Sequence, residues 1–563
     1  MDLRQTAKKH ALKNALDYGK AEIKSVAGRV IAEAPEAKKD MKETMRLITE
    51  VIAEVNVLPR DELEKQASGF VYAEKKVEER KLTLPGTEQG KVVTRFLPEP
   101  NGPAHIGHAK AAWLGRELAS EHDGKCLLRW DDTNPEKEKQ EYEDNLRESM
   151  NWLGLKFDGK ETRSSDYLDV YYEKAARLIE QDAAFVCKCP QGAISANRKN
   201  KKECVCRLND AKKNAEEWVS MLGGVTPEGK AVLRLKGDMA SDNTTMRDPV
   251  IFRIIEAEHY RVKGKRVWPN YDFAVSVADS LEGVTHALRS KEYELRDELY
   301  GFILDKLKMR KPFVYDFSRL NIKGTLLSKR LLVPLIESKK VSGWDDPRLP
   351  TVSGLKRRGI LPEAIKKFVL SQGLGKQESE PDWSALLNEN KRLLEPKAPH
   401  YFFVSKPVKL LVKNSRPQSF KVPKHPAQEL GHRFFETDKY FFISKDDFTA
   451  LKQGETFRLK DLYNVKVLEK KTSELVGEFA GKDLREGRKL QWVPEKEFVE
   501  AEIWLVGDLV DSSGEFKQNS LVKEKGYAEL AVKDVKKGAV AQFERLGFFI
   551  CDDPVNKIFI ACC

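Results

Sequence analysis

One short segment changes abruptly from strand-like to helix-like sequence. Residues 92–96 (VVTRF) predict a short buried strand, the Pro- and Gly-rich residues that follow break it, and residues 109–114 (AKAAWL) resume as a helix. A glycine such as Gly107 lets a ligand approach the backbone, and a helix start presents free N–H groups to an anion. His105 and His108 add hydrogen-bond donors for phosphate. The segment predicts a nucleotide site at a strand–loop–helix corner. Residues 105–108 taken alone would indicate only two exposed histidines at a helix start.

Length and composition limit the class of protein. At 563 residues the chain is too long for one core, and roughly three to five domains are expected. Charged residues make up 33% and hydrophobic residues 40%, which is typical of a soluble globular protein. The net charge of +11 favours a polyanionic partner. We find no apolar run of about 20 residues and no N-terminal apolar region, so we expect a cytoplasmic protein without a membrane span. The eight cysteines do not suggest a disulfide scaffold.

The pattern of apolar residues predicts a multidomain α/β and β protein. Helical periodicity dominates the start, apolar runs then alternate with helical patterns as in a parallel sheet, and short turn-separated strands dominate the end. We divide the chain into a helical N-terminal domain with a Lys/Glu-rich linker at 1–88, the first half of a Rossmann-like domain at 89–185, a Cys-containing insertion at 186–265, the second half at 266–342, a helical connector at 343–398, and two β-barrels at 399–563.

Two further strings carry candidate chemistry. Asp131, in residues 129–138 (RWDDTNPEKE), follows an apolar run, and ligands of open α/β sheets bind at the carboxyl ends of strands. Its carboxylate can bind an ammonium group, although Asp132 or Thr133 could instead cap a helix. Arg289 ends the string EGVTHALR, and a guanidinium fork matches a carboxylate. The alternative is a surface arginine that closes a strand.

Four cysteines form two close pairs separated by fourteen residues: Cys187, Cys189, Cys204 and Cys206. Four thiols suit one structural, tetrahedral Zn²⁺, and four reduced thiols are the alternative. The intervening loop 195–202 is polar and basic and has little apolar surface to bury the thiols. Residues 198–202 (RKNKK) either follow RNA phosphates or form a solvated loop.

Several strings together resemble one enzyme family. Residues 95–110 (RFLPEPNGPAHIGHAK) resemble the HIGH signature and its flanks in the glutamyl/glutaminyl branch of the class I aminoacyl-tRNA synthetases. The strings YDFA and EGVTH, with Asp279 between them, are similar to another motif of that branch, and residues 324–330 (GTLLSKR) resemble its degenerate KMSKS loop. The resemblance extends through tail strings such as LKDLYNV and LQWVP. A β-rich tail is typical of the archaeal-type glutamyl enzymes, whose two barrels bind the anticodon.

The resemblance implies ATP- and Mg²⁺-dependent attachment of L-glutamate to tRNA(Glu), with tRNA(Gln) left open as a second acceptor. The sequence does not indicate an oligomeric state, and a monomer is our default expectation. The resemblance also implies that the residues that bind ATP or act on its phosphates during catalysis are His105, Gly107, His108, Leu327, Ser328 and Lys329. It implies that glutamate is held by Arg95, Asp131, Tyr271 and Arg289. The insertion would bind the acceptor end of tRNA and carry the zinc. A glutaminyl-tRNA synthetase, in which relatives carry Cys at the position of Arg289, and a non-catalytic tRNA-binding paralogue are the alternatives.

Overall fold

The computed structural model describes residues 2–70, 82, 84–378, 380–484 and 487–563. Contacts within the chain define two compact units, Met1–Arg80 and Lys81–Cys563. The linker predicted before residue 89 falls partly on residues 71–81 and 83, which lie outside the described residues. Among the described helices, none has both the length and the apolar character needed to cross a membrane.

The first unit is helical, as the sequence predicts. Its α-helices are α1 (Leu3–Tyr18), α2 (Ile23–Glu33), α3 (Met41–Asn56) and α4 (Arg60–Ala67). Helix α3 shows why this segment folds as it does, because its buried residues Ile48, Val51, Ile52 and Val55 recur at helical spacing on one face. Asp40 caps the helix by accepting a hydrogen bond from the N–H of Glu43 at 3.0 Å.

The second unit begins with an α/β part. Its strands are β1 (Val93–Phe96), β2 (Lys125–Trp130), β3 (Thr162–Arg163), β4 (Ala184–Cys187), β5 (Val232–Leu235), β6 (Val250–Ile254), β7 (Val267–Pro269), β8 (His286–Ser290) and β9 (Phe313–Phe317). Its helices are α5 (Ile106–Glu121), α6 (Gln140–Trp152), α7 (Leu168–Glu180), α8 (Gln191–Lys199), α9 (Ala211–Leu222), α10 (Tyr271–Leu281), α11 (Asp297–Leu307), α12 (Lys329–Glu337), α13 (Val352–Arg357), α14 (Pro362–Ser371) and α15 (Trp383–Leu394).

Two groups of parallel strands build the α/β core. Strands β1, β2 and β3 form one parallel group, and β8 and β9 form another. The N–H of Thr285, just before β8, donates to the carbonyl of Val93 in β1 at 2.8 Å, so the two groups lie side by side. The carboxyl ends of β1 and β8 therefore open onto the same region.

An antiparallel sheet interrupts this core where the sequence predicts an insertion. Strands β4, β5, β6 and β7 pair in that order. The polar segment that we predicted to be a loop at 195–202 is helical in its first part, because α8 extends to Lys199. Ile194 on α8 is buried against Cys187 and Cys204, which gives this segment an apolar anchor that the sequence analysis did not recognise.

The C-terminal part is built mainly from strands, and its described residues include one short α-helix, α16 (Lys445–Ala450). Its strands are β10 (His400–Tyr401), β11 (Phe403–Ser405), β12 (Val408–Lys413), β13 (Gln418–Pro423), β14 (His432–Thr437), β15 (Tyr440–Ile443), β16 (Thr456–Leu459), β17 (Asn464–Lys470), β18 (Glu474–Phe479), β19 (Lys489–Leu490), β20 (Val493–Pro494), β21 (Phe498–Val506), β22 (Leu521–Glu529), β23 (Val540–Phe543), β24 (Gly547–Asp553) and β25 (Ile558–Ala561). Two seven-stranded sheets, ordered β19-β16-β17-β18-β12-β15-β20 and β10-β23-β24-β25-β21-β22-β11, enclose separate cores around Trp492 and Phe543. These barrel-like sheets confirm the predicted all-β tail.

A buried carboxylate joins the strands of the α/β core to its helices. Asp279 on α10 is fully buried and accepts from Arg95 of β1 at 3.1 and 3.2 Å and from Arg129 of β2. Tyr300 of α11 donates to the same carboxylate at 3.1 Å, and Arg129 also pairs with Glu282 at 2.5 Å. Burial alone would raise the pKa of Asp279, but the two arginines outweigh it and hold the pKa below its ordinary value.

Replacing Asp279 by alanine should strongly destabilise the second unit. The change leaves two guanidinium groups buried without their partner, which costs about 3–5 kcal/mol of unfolding free energy. Differential scanning calorimetry should show a large drop in melting temperature. Asp305→Ala is the matched control, because Asp305 on α11 is 61% exposed and its ion-pair partner among the described residues is surface Lys311. Equal melting temperatures for the two variants would contradict the role of Asp279.

Candidate active site

The corner between β1 and α5 is organised by two histidines. His105 is the N-cap of α5, and its Nδ1 accepts from the N–H of Gly107 at 3.1 Å. Nδ1 of His108 accepts from the N–H of His105 at 3.2 Å, and the two rings stack with centroids 3.9 Å apart. Because Nδ1 of each neutral ring accepts a hydrogen bond, Nε2 carries the proton and is left to donate.

Burial keeps both rings uncharged. It lowers the pKa of His108 to about 4, and it lowers the pKa of His105 well below its ordinary value, with His108 adding to the effect. A Cβ at position 107 would lie 2.8 Å from Cε1 of His105, so only glycine leaves this ring in place. The corner therefore offers neutral N–H donors and a helix N-terminus, a combination suited to anions.

A cavity of about 690 Å³ opens at this corner. Of the site residues predicted from the sequence, those that line it are Arg95, His105, Gly107, His108, Asp131, Tyr271, Arg289 and Leu327. Ser328 and Lys329 lie outside this lining, at the start of α12. The Lys329 ammonium donates to the carbonyl of Asn101, in the loop after β1, and lies 4.4 Å from the centre of the Tyr142 ring. We predicted a lysine on a Gly-flanked loop, and the structure places Lys329 at the end of that loop, against the cavity rim.

At its other end, the loop before Lys329 is hydrogen-bonded to the segment that follows β21 in the C-terminal part. The carbonyl of Gly324 accepts from the N–H groups of Leu509 at 2.8 Å and Val510 at 3.2 Å. Gly324 has φ +75°, and a Cβ there would come within 2.7 Å of Cγ of Asp508. Glycine is therefore required both by the backbone conformation and by the close approach.

Arg289 is a buried guanidinium of the cavity that has unused donors. Its side chain is 1% exposed, and Nη1 donates to Oδ1 of Asp297 at 3.1 Å. Nε and Nη2 are buried and have no hydrogen-bond partner among the described residues. The rings of Tyr271, Tyr293 and Tyr300 surround the guanidinium at 5.8, 5.2 and 5.6 Å. A buried cation with two unpaired donors is costly unless a ligand pairs with them, so this group is suited to an anionic ligand.

Arg95 is engaged differently from Arg289. Besides its two bonds to Asp279, its Nη1 donates to the carbonyl of Leu288 at 2.8 Å. All three nitrogens of this guanidinium therefore have protein partners. Arg95 contributes positive charge to the cavity wall, whereas Arg289 has the donors free to form new hydrogen bonds.

Asp131 is the carboxylate that faces the other side of the cavity. Burial raises its pKa to about 7, and its Oδ1 accepts from the hydroxyl of Thr133 at 3.2 Å. The predicted helix cap at Asp132 or Thr133 is wrong, since in the described chain the next helix, α6, begins only at Gln140. Asp132 instead accepts from the N–H and hydroxyl of Ser165 at 2.8 and 2.6 Å.

Among the described residues that line this cavity, sequence reasoning missed two buried charged ones. Lys110 is 2% exposed, burial lowers its pKa to about 8, and its Nζ donates to the carbonyl of Ser318 at 2.6 Å. Glu138 lies nearby, where burial first and Asp131 second raise its pKa to about 10. A lysine within the otherwise apolar start of α5 is a sequence feature that could have identified Lys110.

The four cysteines of the insertion meet in one cluster. Their sulfur atoms all lie within 4.8 Å of one another, and the Sγ–Sγ distances are 3.8 Å for Cys187–Cys204 and 3.8 Å for Cys189–Cys206. Four thiolates around Zn²⁺ with Zn–S bonds of about 2.3 Å would be separated by about 3.8 Å, so the donor set fits a closed tetrahedral site.

A buried arginine supports this cluster. Nη1 of Arg234 lies 3.7 Å from Sγ of Cys187 and 3.5 Å from Sγ of Cys204. Its guanidinium stacks on Phe185 at 5.3 Å, and Nε donates to the carbonyl of Asp248 at 2.9 Å. A cation at this place offsets the charge of thiolates, which indicates a site arranged for a metal.

Comparison with known proteins agrees with the fold. The family described as tRNA synthetases class I (E and Q), catalytic domain, matches residues 91–395, and the anticodon-binding domains of the same family match residues 398–481 and 489–552. The chain therefore belongs to the class I tRNA synthetases of the E and Q group. Within that group its full-length relatives are archaeal proteins named glutamate--tRNA ligase. The protein of Nitrosopumilus maritimus is 42% identical over 99% of both chains, that of Cenarchaeum symbiosum 39% over 97% of both, and that of Pyrococcus furiosus 37% over 100% of this chain and 99% of the relative.

Proposed function

We propose that this chain ligates L-glutamate to tRNA(Glu) at the expense of ATP. The α-carboxylate of glutamate attacks the α-phosphorus of ATP, the bond to the bridging oxygen breaks, and pyrophosphate leaves. The 2′-hydroxyl of the terminal tRNA adenosine then attacks the acyl carbon of the glutamyl-adenylate and releases AMP. The observation that carries the proposal is the buried Arg289, whose Nε and Nη2 lack partners in a cavity that also contains the β1–α5 corner.

The β1–α5 corner holds the ATP phosphates in this proposal. The Nε2–H groups of His105 and His108 donate to phosphate oxygens, and Gly107 lets the nucleotide lie against the start of α5. Mg²⁺ enters with ATP. Lys329, with Ser328 and Leu327 before it, contacts the triphosphate from the rim and offsets the charge that develops on the leaving pyrophosphate.

The opposite side of the cavity binds the amino acid in this proposal. Arg289 pairs with the side-chain carboxylate of glutamate, and Arg95 adds positive charge beside it. Tyr271 contributes a neutral donor, and Asp131 in its ionised form accepts from the α-ammonium group. Glutamine offers one carbonyl oxygen to Nε and Nη2 of Arg289, and its NH₂ group would face the other donor, which is why we favour glutamate over the glutaminyl alternative.

The remaining parts of the chain bind tRNA in this proposal. The barrel-like sheets take the anticodon, and the insertion takes the acceptor end, with Cys187, Cys189, Cys204 and Cys206 holding a structural Zn²⁺. The ion would link two segments of the chain, and its four protein ligands would leave no open coordination position. A cytoplasmic, monomeric enzyme remains our prediction, as do the domain boundaries given above.

Purified protein should charge tRNA with glutamate. The measurement offers glutamate or glutamine with tRNA(Glu) or tRNA(Gln) and follows acid-stable aminoacyl-tRNA. We expect glutamate on tRNA(Glu), and charging of tRNA(Gln) as well would identify a non-discriminating enzyme. Glutamine on tRNA(Gln) would overturn the reading of Arg289 in favour of a glutaminyl enzyme. Absence of any ATP turnover with tRNA present would favour the tRNA-binding paralogue.

Arg289→Cys should reduce glutamate use far more than ATP binding. Loss of one partner of a buried charge pair costs about 2–5 kcal/mol, or roughly 30- to 5000-fold in kcat/KM for glutamate. The KM for ATP should change little. Arg392→Cys is the control, because Arg392 is a 70% exposed residue on α15. Unchanged KM and kcat for glutamate in Arg289→Cys would refute the assignment.

Zinc analysis should find about one ion per chain. Cys204→Ser should lower the zinc content towards zero and reduce the melting temperature, since a tetrahedral site loses one of its four ligands. Cys563→Ser should retain the metal, because Cys563 lies outside the cluster. A zinc-free wild-type protein that is as stable as the metal-supplemented one would instead indicate four reduced thiols.

A further inference from the structure

Two acidic side chains lie against the guanidinium of Arg289 on the protein side. Asp297, the first residue of α11, accepts from Nη1 at 3.1 Å. Asp316 on β9 is paired in register with Arg289 on β8, and it is 1% exposed. Oδ1 of Asp316 has no hydrogen-bond partner among the described residues. Neither aspartate lines the cavity, so both act on the ligand only through Arg289.

We infer that Asp297 is a positioning residue for substrate selection, which rests on the proposed function. Through Nη1 it fixes one edge of the Arg289 guanidinium, so that Nε and Nη2 are kept for the side-chain carboxylate of the amino acid. The aromatic rings contact the guanidinium without hydrogen-bonding to it, whereas Asp297 accepts the one hydrogen bond that the guanidinium makes among the described residues. A planar fork held by one arm can present the others in a defined direction.

Asp316 explains why this restraint is needed. Its unpaired Oδ1 is a buried acceptor one strand away from Arg289, and a guanidinium released from Asp297 has a competing anion to turn towards. Arg289 turned in that way would pair inside the protein and present fewer donors to the cavity. Asp297 therefore determines whether the guanidinium of Arg289 pairs with the substrate or with an aspartate of the protein.

The surroundings of Asp297 act on its pKa in opposite directions. Burial raises the pKa of Asp297 to about 7, and a hydrogen bond with Asp316 is the next cause. Arg289 and Lys376, the cations that face Asp297, act in the opposite direction on its pKa.

The test compares three variants in the full-length protein. Asp297→Ala should raise the KM for glutamate roughly 10- to 100-fold, as expected when a binding group is displaced by about 1 Å. The KM for ATP and the melting temperature should stay near wild type. Asp297→Asn retains an oxygen acceptor for Nη1 and should recover most of the loss. Asp305→Ala, on the exposed side of the same helix, is the matched control and should behave as wild type.

A double-variant cycle separates positioning from a general effect on the fold. In an Arg289→Lys background, Asp297→Ala should add little further loss in kcat/KM for glutamate, because the two residues act as one unit. Equal losses in both backgrounds, or an unchanged KM for glutamate in Asp297→Ala, would overturn the inference. A wild-type protein that does not charge glutamate would refute the proposed function itself, so the two failures are distinguishable.

Discussion

The hydrogen bonds of Asp279 hold together the strands and helices that surround the cavity. One carboxylate on α10 receives Arg95 from β1, Arg129 from β2 and Tyr300 from α11, so two parallel strands and two helices are fixed around one buried charge. Removing charges from water is expensive, and only a complete set of partners makes such a group tolerable. The position of β1 relative to β8, and with it the distance between the histidine corner and Arg289, depends on this network.

Much of the fold could be predicted from the sequence because local pattern and tertiary structure agree. The strand–loop–helix corner at residues 92–114 was predicted from periodicity and turn residues, and the structure has β1 and α5 there. The helical start and the β-rich tail follow the same rule. Helix α8 was missed because Ile194 supplies a single apolar contact to the cysteines, which is too little for a periodic pattern.

The candidate site was less predictable, because a residue type does not reveal which of its donors are already used. Arg95 and Arg289 look equivalent in sequence, yet Asp279 and Leu288 occupy the nitrogens of Arg95, while Arg289 retains two. Asp297 belongs to no motif that the residues alone would reveal, and the only sequence signal for Lys110 is its place in the apolar start of α5. Their importance comes from burial and from contacts between segments far apart in the chain.

The unsatisfied edge of Arg289 has a consequence for accuracy in the proposed enzyme. A binding pocket that must hydrogen-bond a charged side chain rejects an isosteric neutral one strongly, because the buried charge would remain unpaired. Pockets that measure only size, by contrast, confuse similar amino acids and require a separate site that hydrolyses mistakes. An enzyme whose selection rests on one buried cation can therefore dispense with proofreading of the carboxamide and discriminate in the first encounter.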